Sequence, residues 1–137
     1  MSQKFFSLLM LDSSQQCTKS EPKDAGCWRL LAFAYDYFKR YDDEIEAYRQ
    51  ALRIDPKNFS SWDNLGATYL NLKCYNDAVE AYRQAVRIGP KNADAWYGLG
   101  YAYIVSGNRS AALDAVWKLQ SLDPKKADKL FNLIMPR

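Results

Sequence analysis

The chain has 137 residues, of which 48% are apolar, and a formal net charge of +3, so its length fits one domain with enough apolar material for a core. It contains no histidine, and therefore lacks the commonest general base and the commonest metal ligand. The mild charge forms no concentrated basic patch, and no apolar run approaches the roughly 18 residues of a membrane span. We expect neither nucleic-acid binding nor a membrane span.

The N-terminal segment allows more than one interpretation. Lys4 precedes an apolar run, as in a signal peptide, but the run is short, is broken by Ser7 and lacks a small-x-small cleavage site. The sequence QQCTKSEPKD at 15–24 is similar to RQALRIDPKN at 49–58, which ends a later unit. We interpret residues 3–20 as the second helix of a degenerate repeat, with a frayed terminus as the alternative.

The three cysteines, Cys17, Cys27 and Cys74, form no C-x2-C pair and have no histidine partner. We therefore expect no zinc site, no other metal site and no cofactor. An odd number of cysteines is typical of a reducing compartment, where cysteine serves as a small apolar residue, and we expect a cytoplasmic protein. Export is the alternative, and a bridge between Cys17 and Cys27 remains open in that case.

From residue 25 onwards the chain shows pairs of amphipathic helix patterns. Apolar residues recur at i, i+3, i+4 and i+7, as in helices that bury one side, and a proline ends every second helix. The predicted helices cover residues 25–38, 41–54, 59–72, 75–88, 93–106 and 109–122. The expected N-caps of the first helix in each pair are Asp24, Asn58 and Asn92.

The paired patterns recur with a period of 34 residues. The aligned positions are Trp28, Trp62 and Trp96; Leu31, Leu65 and Leu99; Tyr35, Tyr69 and Tyr103; and Pro56, Pro90 and Pro124. A fixed period of this length indicates a helical-repeat solenoid. One further place holds only small residues, Ala32, Gly66 and Gly100, which lets two helices approach closely and offsets the cost of glycine in a helix.

The middle unit carries W-x2-L-G-x2-Y and then Ala, an aromatic residue, Ala and Pro, at Trp62, Leu65, Gly66, Tyr69, Ala78, Tyr82, Ala85 and Pro90. This pattern resembles the tetratricopeptide repeat. The first unit departs most from it at Glu44, a carboxylate at a helix-packing position that must be paired or reach water. The resemblance implies an all-α, right-handed superhelical solenoid of antiparallel helix pairs, with three full repeats and a C-terminal capping helix.

The predicted organisation consists of an N-terminal segment, three repeats and a capping helix, over residues 1–24, 25–58, 59–92, 93–126 and 127–137. Within the last segment Leu130 falls on the tryptophan place, Leu133 on the leucine place and Ile134 on the glycine place. We expect a solitary helix over 126–135 that covers the open end of the third repeat.

The resemblance also implies a binding surface, because six places of each first helix line a concave groove in the family. Carried over to this chain, the candidate partner-binding residues are Arg29, Phe33, Asp36, Tyr37, Asp63, Asn64, Ala67, Leu70, Asn71, Asp94, Tyr97, Tyr101 and Ile104. Leu30 and Gly98 occupy further groove places. The aromatic and aliphatic members are expected to form an apolar interaction surface, and the three aspartates should favour basic groups at its rim.

One subset of the family holds the C-terminal carboxylate of a peptide in a polar clamp. The clamp places here hold Arg29, Phe33, Asn64, Asp94 and Gly98. Only Asn64 matches, and Asp94 would repel a carboxylate, so we do not expect this clamp. The expected partner is a protein or peptide with apolar anchors and at least one basic group.

The predicted function is therefore a non-catalytic scaffold for protein–protein interaction. The chain has no glycine-rich phosphate loop and no nucleophile elbow, so we do not expect an enzyme. The alternative function is self-assembly into a homo-oligomer, head to tail through the open ends of the solenoid. Phe131 and Met135 are the candidate contacts for such assembly.

Overall fold

The structure, a computed structural model, describes residues 3–136, which contain eight helices and no strand. Met1, Ser2 and Arg137, which belong to the first and last predicted segments, lie outside the described residues. The helices are α1 (Gln3–Ser20), α2 (Ala25–Tyr37), α3 (Tyr41–Ile54), α4 (Phe59–Asn71), α5 (Tyr75–Ile88), α6 (Ala93–Val105), α7 (Arg109–Leu122) and α8 (Pro124–Ile134). None of the described helices has the length and apolar character needed to cross a lipid bilayer.

Helices α2 to α7 confirm the six predicted helices to within one residue at each end. The three predicted N-caps are also confirmed, since each side chain accepts a hydrogen bond from a backbone N–H of the first turn that has no partner within the helix. The N–H groups of Gly26, Ser61 and Ala95 donate to Asp24, Asn58 and Asn92 at 2.8, 2.8 and 3.0 Å.

The turn within each helix pair uses the same backbone conformation. Lys39, Lys73 and Gly107 are spaced 34 residues apart and have φ values of 55°, 60° and 90°. This left-handed region is open to glycine without steric cost and is strained for lysine. The sequence repeat is therefore a repeat of backbone geometry as well as of side chains.

The tryptophan and proline places are joined by a hydrogen bond. The indole Nε1–H of Trp28 donates to the carbonyl of Pro22 at 2.9 Å, and that of Trp96 donates to Pro90 at 2.7 Å. Each tryptophan thus ties the start of a first helix to the loop before it, which gives a physical reason for the spacing of these two residue types.

The described chain divides into two compact units, the first ending at Ser61 and the second beginning at Trp62. In the first unit α1 packs on α2, and α2 packs on α3. The sequence requires Glu44 of α3 either to be paired or to reach water. Its side chain is only 2% exposed, so it does not reach water. In the second unit α6 packs on α5 and α7, and α8 packs on both α6 and α7.

Helix α1 covers the range interpreted from the sequence as the second helix of a degenerate repeat, and its membership of a repeat stays a prediction. It packs through small polar side chains, because Ser7, Ser14 and Thr18 are its buried residues. Their hydroxyl groups donate to backbone carbonyls of α1 itself at 2.7–2.9 Å, so no buried hydroxyl is left unsatisfied. Four larger apolar residues of this helix are exposed, namely Phe5, Phe6, Leu8 and Leu9.

A disulfide joins Cys17 of α1 to Cys27 of α2, with the two Cα atoms 5.4 Å apart. The expectation that all three cysteines serve as small apolar residues is corrected here. The last turn of α1 and the first turn of α2 meet at one corner, so both sulfur atoms reach the same point. Cys74 is a free and exposed cysteine and lies outside the core, whereas the disulfide-bonded Cys27 is buried.

Helices of the second unit approach one another closely at three glycines. A Cβ atom built on Gly66 or on Gly98 would lie 2.8 or 2.5 Å from the ring of Tyr82, so this ring occupies the space that both glycines leave. A Cβ atom on Gly100 would collide with Leu130 and lie 3.1 Å from Ala115. The predicted close approach at Gly66 and Gly100 is confirmed. Gly98, expected to line the groove, instead lies against Tyr82.

Helix α8 begins at Pro124, two residues before the predicted start. Pro124 both follows α7 and opens α8, because proline is compatible with the first position of a helix, and Asp123 caps α8 by accepting from the N–H of Lys126 at 3.2 Å. The buried residues of α8 are Ala127, Leu130 and Ile134. Leu133 is exposed, unlike Leu65 and Leu99 at the same place of the register, which are buried.

Candidate partner-binding site

Helix α2 presents an exposed row of large apolar side chains opposite its buried face. Leu30, Phe33 and Tyr37 are 54%, 60% and 43% exposed and follow the i, i+3, i+7 spacing that places them along one side of the helix. Leu31 and Ala34 are buried. We call Leu30, Phe33 and Tyr37 the α2 row; three adjacent exposed side chains of this size are typical of an interaction site.

A pocket of about 470 Å³ opens beside the α2 row, and its walls include Leu30, Phe33 and Arg29. Nη1 of Arg29 is 3.9 Å from a carboxylate oxygen of Asp55. This buried nitrogen has no hydrogen-bond partner among the described residues. It is therefore a hydrogen-bond donor left unsatisfied beside an apolar surface.

In the second unit, four of the predicted residues lie close together: Asp63 of α4 and Asp94, Tyr97 and Tyr101 of α6. Burial raises the pKa of the Tyr97 hydroxyl, with a further contribution from Tyr101 and an opposing one from Lys126. Tyr101 is exposed and Tyr97 is half-buried. We call these four residues the α4/α6 patch.

Helix α8 adds lysines to the α4/α6 patch. Lys126 Nζ lies 3.4 Å from a carboxylate oxygen of Asp94, and Lys129 Nζ lies 5.6 Å from the centre of the Tyr97 ring. A pocket of about 440 Å³ is lined by Asp94, Tyr97, Asp123, Lys125, Lys126 and Lys129. The ion pair with Asp94 raises the pKa of Lys126. Because Lys126 already pairs with Asp94, this carboxylate is less available to a partner than the sequence suggested.

Asp63 is the acid of this patch that has no cation beside it among residues 3–136. Burial raises its pKa above the ordinary value of 3.8, and the charge of Asp94 raises it further. The charge of Asp63 in turn adds to burial in raising the pKa of Tyr82. A half-buried carboxylate beside a second one attracts a cation, because a positive charge relieves both effects.

We expect Asp63→Asn to stabilise the folded chain at pH 7. The pKa of Asp63 is higher in the folded than in the unfolded chain, so its stabilising contribution is complete below the unfolded pKa and is lost as pH rises through the folded pKa. Urea unfolding at several pH values should show a gain over wild type at pH 7 that disappears below about pH 4. Asp36→Asn, at an exposed carboxylate, is the control; a gain that does not depend on pH would contradict the explanation.

The remaining predicted residues differ in accessibility. Asp36, Asn64, Ala67 and Asn71 are exposed, and Leu70 and Ile104 are half-buried. The sequence missed Lys126 and Lys129, since it assigned α8 only a capping role. The predicted 34-residue register, which places α8 where a next first helix would stand, was the signal that could have placed these lysines near α6.

Family models of the tetratricopeptide repeat match residues 25–58, 47–80 and 74–107. Together the three matches extend from residue 25 to residue 107, more than half of the chain. The chain belongs to the tetratricopeptide-repeat family. The predicted family and the predicted all-α repeat fold are thereby confirmed, whereas the full set of repeat boundaries stays a prediction because the matched ranges overlap.

Solved structures of other tetratricopeptide-repeat proteins share this fold. A crystal structure of MamA protein has 23% sequence identity and a TM-score of 0.78, over 86% of this chain and 64% of that one. The Arabidopsis OM64 TPR domain has 20% sequence identity and a TM-score of 0.72, over 81% of this chain and 93% of that domain. The first TPR of Spaghetti (RPAP3), bound to the HSP90 peptide SRMEEVD, has 21% sequence identity and a TM-score of 0.71. That match covers 80% of this chain and 89% of the other. This chain thus spans under two thirds of the MamA chain, and a search of curated proteins found no match.

Proposed function

We propose that this TPR chain is a non-catalytic scaffold that binds a segment of a partner protein on the exposed face of its first helices. The observation that carries the proposal is the α2 row, in which three large apolar side chains are exposed side by side. Binding of a partner over such a row is favourable, because it removes apolar surface from water. The RPAP3 domain, which has the same fold, holds a peptide, so the fold accommodates this class of ligand.

The chemistry of the surface defines the partner segment. An aliphatic or aromatic anchor fits between Leu30 and Phe33, and an oxygen atom next to that anchor accepts a hydrogen bond from the exposed part of the Arg29 guanidinium, which lines the same pocket. Separately, in the second unit, Asp63 suits a lysine or arginine of a partner, because it has the raised pKa and no cation of its own within residues 3–136. Each contact lies within one unit.

A peptide-display selection against the full chain tests this function. Peptides should be enriched in apolar anchors, and Phe33→Ser should weaken the best peptide about thirtyfold, the effect of losing a central contact worth about 2 kcal/mol. Trp117→Ser is the matched control, because Trp117 of α7 is 81% exposed and lies outside the proposed surface. Equal losses in the two variants would contradict the proposal.

Self-assembly remains a second candidate because α8 exposes Phe131, Leu133 and Met135. Arg109 Nη2 donates to the Ile134 carbonyl at 2.8 Å and so holds the end of α8 in place. A contact between this end of one copy and a different surface of the next would be head to tail.

Sedimentation over a concentration series tests the second candidate. We expect association that Phe131→Ser/Met135→Ser abolishes and Tyr97→Ala/Tyr101→Ala preserves. A chain that stays monomeric at every concentration would exclude head-to-tail assembly and leave partner binding alone.

A further inference from the structure

Residues of α5, α6 and α7 line a pocket of about 340 Å³ in the second unit. Its floor is apolar, because the lining residues Val86, Leu99 and Ala115 are buried. The half-buried aromatic side chains of Trp96 and Tyr103 also line it. The volume lies near the lower end of the roughly 300–1,000 Å³ that is typical of ligand pockets, so the pocket fits a ligand about the size of one amino acid.

Three exposed charged side chains form the rim of this pocket. Arg83 and Arg87 stand one helical turn apart on the same side of α5, and Asp114 belongs to α7. Arg83 has a long ion pair with Glu80, at 3.9 Å, in which both side chains are more than half exposed. Such pairs contribute little. Arg87 has no ion pair among residues 3–136, so both guanidinium groups are available to a ligand.

Asp114 likewise takes part in no ion pair within the described part of the chain. Lys118 stands one turn after it, at a spacing that allows an ion pair, but its Nζ lies over the Trp96 ring, 5.7 Å from the ring centre. The Trp96 ring is itself held in place, because its Nε1–H donates to the Pro90 carbonyl at 2.7 Å. The rim thus carries two cations and one anion that do not pair with one another, above an apolar floor.

We propose that this pocket binds a free α-amino acid with a large apolar side chain. The carboxylate of the amino acid accepts hydrogen bonds from the guanidinium groups of Arg83 and Arg87, whose planar donors match a carboxylate. Its ammonium group donates to the carboxylate of Asp114. Its side chain lies on the apolar floor, where it is removed from water.

Other classes of ligand would use only part of this pocket. A simple anion would pair with the two arginines, but Asp114 would repel it and the apolar floor would stay in contact with water. A simple amine would be repelled by the arginines. An uncharged apolar molecule would cover the floor and leave all three charged groups without partners. A zwitterion with an apolar side chain satisfies every part of the pocket, because both of its charges lie at one end.

The site is separate from the proposed partner-binding surface. The α2 row belongs to the first unit, and no residue of the α4/α6 patch lines this pocket. A bound amino acid would add contacts to α5, α6 and α7 and would stabilise the second unit against unfolding. Amino-acid binding here is therefore independent of partner binding, and either can fail without the other.

Calorimetric titration of the full chain with L-phenylalanine and L-leucine tests the site. We expect saturable binding of one molecule per chain. Glycine, which has the same charged groups and no side chain, should bind at least about tenfold more weakly than L-phenylalanine, because it covers none of the floor. No saturable binding of either apolar amino acid, or equal affinity for glycine, would overturn the proposal.

Two analogues test the charged groups. L-phenylalaninamide lacks the carboxylate and N-acetyl-L-phenylalanine lacks the ammonium group. Each should bind at least about tenfold more weakly than L-phenylalanine, since a site with charged groups rejects a ligand that leaves them unpaired. Equal affinity for L-phenylalanine and either analogue would show that the zwitterion is not recognised and would overturn the proposal.

Variants of the rim assign each charged group to its partner. In Asp114→Asn the preference for L-phenylalanine over its N-acetyl form should disappear, and in Arg83→Gln/Arg87→Gln the preference over its amide should disappear. Circular dichroism checks that these variants fold, as expected for exposed side chains. Lys91→Gln and Asp128→Asn, at exposed charges of the same unit outside the pocket, are the matched controls and should keep both preferences. Preferences that persist in the folded rim variants would place the binding elsewhere and overturn the site.

Discussion

Replacing Tyr82 with alanine should lower the free energy of unfolding by about 3–5 kcal/mol, the range for removal of a large buried aromatic side chain. Tyr82 is 6% exposed, and its ring fills the space left by two glycines on different helices, Gly66 of α4 and Gly98 of α6. Neither glycine has a side chain that can move into the vacated volume. The cavity would therefore persist, and the loss in free energy of unfolding should lie in the upper part of this range.

Urea unfolding of Tyr82→Ala measures this cost as a shift of the midpoint at constant slope. Tyr82→Phe is the control, because it keeps the ring between the two glycines and removes only the hydroxyl group, so its effect should be much smaller. A loss below about 1 kcal/mol in Tyr82→Ala, the size of an ordinary substitution, would show that the ring does not fill the space between α4, α5 and α6.

Replacing Leu130 with alanine should cost about 2–5 kcal/mol and release α8 from the second unit. Leu130 is fully buried and belongs to one core cluster with Leu119 and Ile134. Its methyl groups occupy the space that Gly100 leaves open. Since α8 buries only three residues in all, the loss of the largest contact leaves too little apolar area to hold the helix.

Leu133→Ala is a matched control within the same helix, because it removes the same atoms from a side chain that is 46% exposed. Its effect should stay within about 0.5 kcal/mol, as for other surface substitutions. Hydrogen exchange should show early opening of α8 in Leu130→Ala and not in Leu133→Ala. Equal destabilisation by both substitutions would contradict the assignment of Leu130 to the core and of Leu133 to the surface.

Much of the fold follows from the sequence because each local signal is repeated at the same spacing. The caps at Asp24, Asn58 and Asn92 have side chains that accept first-turn N–H groups in any helix, so they could be predicted without knowledge of packing. The glycines at 66 and 100 likewise indicated close contact between helices. The caps depend on residues near one another in the chain, and the small residues recur at one place of the repeat, which is why both could be predicted.

Features that depend on contacts between distant residues were missed. Gly98 occupies a groove place in the 34-residue register, but the ring of Tyr82 from another helix covers it. Lys126 and Asp94 are far apart in the sequence, and only the packing of α8 on α6 brings them to 3.4 Å. Local patterns contain no information about such pairs, so the charge of the α4/α6 patch could not be predicted.

The start of α8 was missed for a different reason. Carrying the repeat register past its third copy assigned Pro124 only the role of ending a helix, although proline also fits the first position of the next one. The same register equated Leu133 with leucines that a second helix covers. A repeat predicts burial only where the neighbouring helix repeats too.

Amide chemical shifts of the ¹⁵N-labelled chain, recorded while the best selected peptide is added, test the central claim most directly. We expect the largest changes in and around the α2 row, at Leu30, Phe33 and Tyr37. Changes centred on the exposed Trp117 of α7, with the α2 row unaffected, would contradict it and place partner binding on the second helices instead.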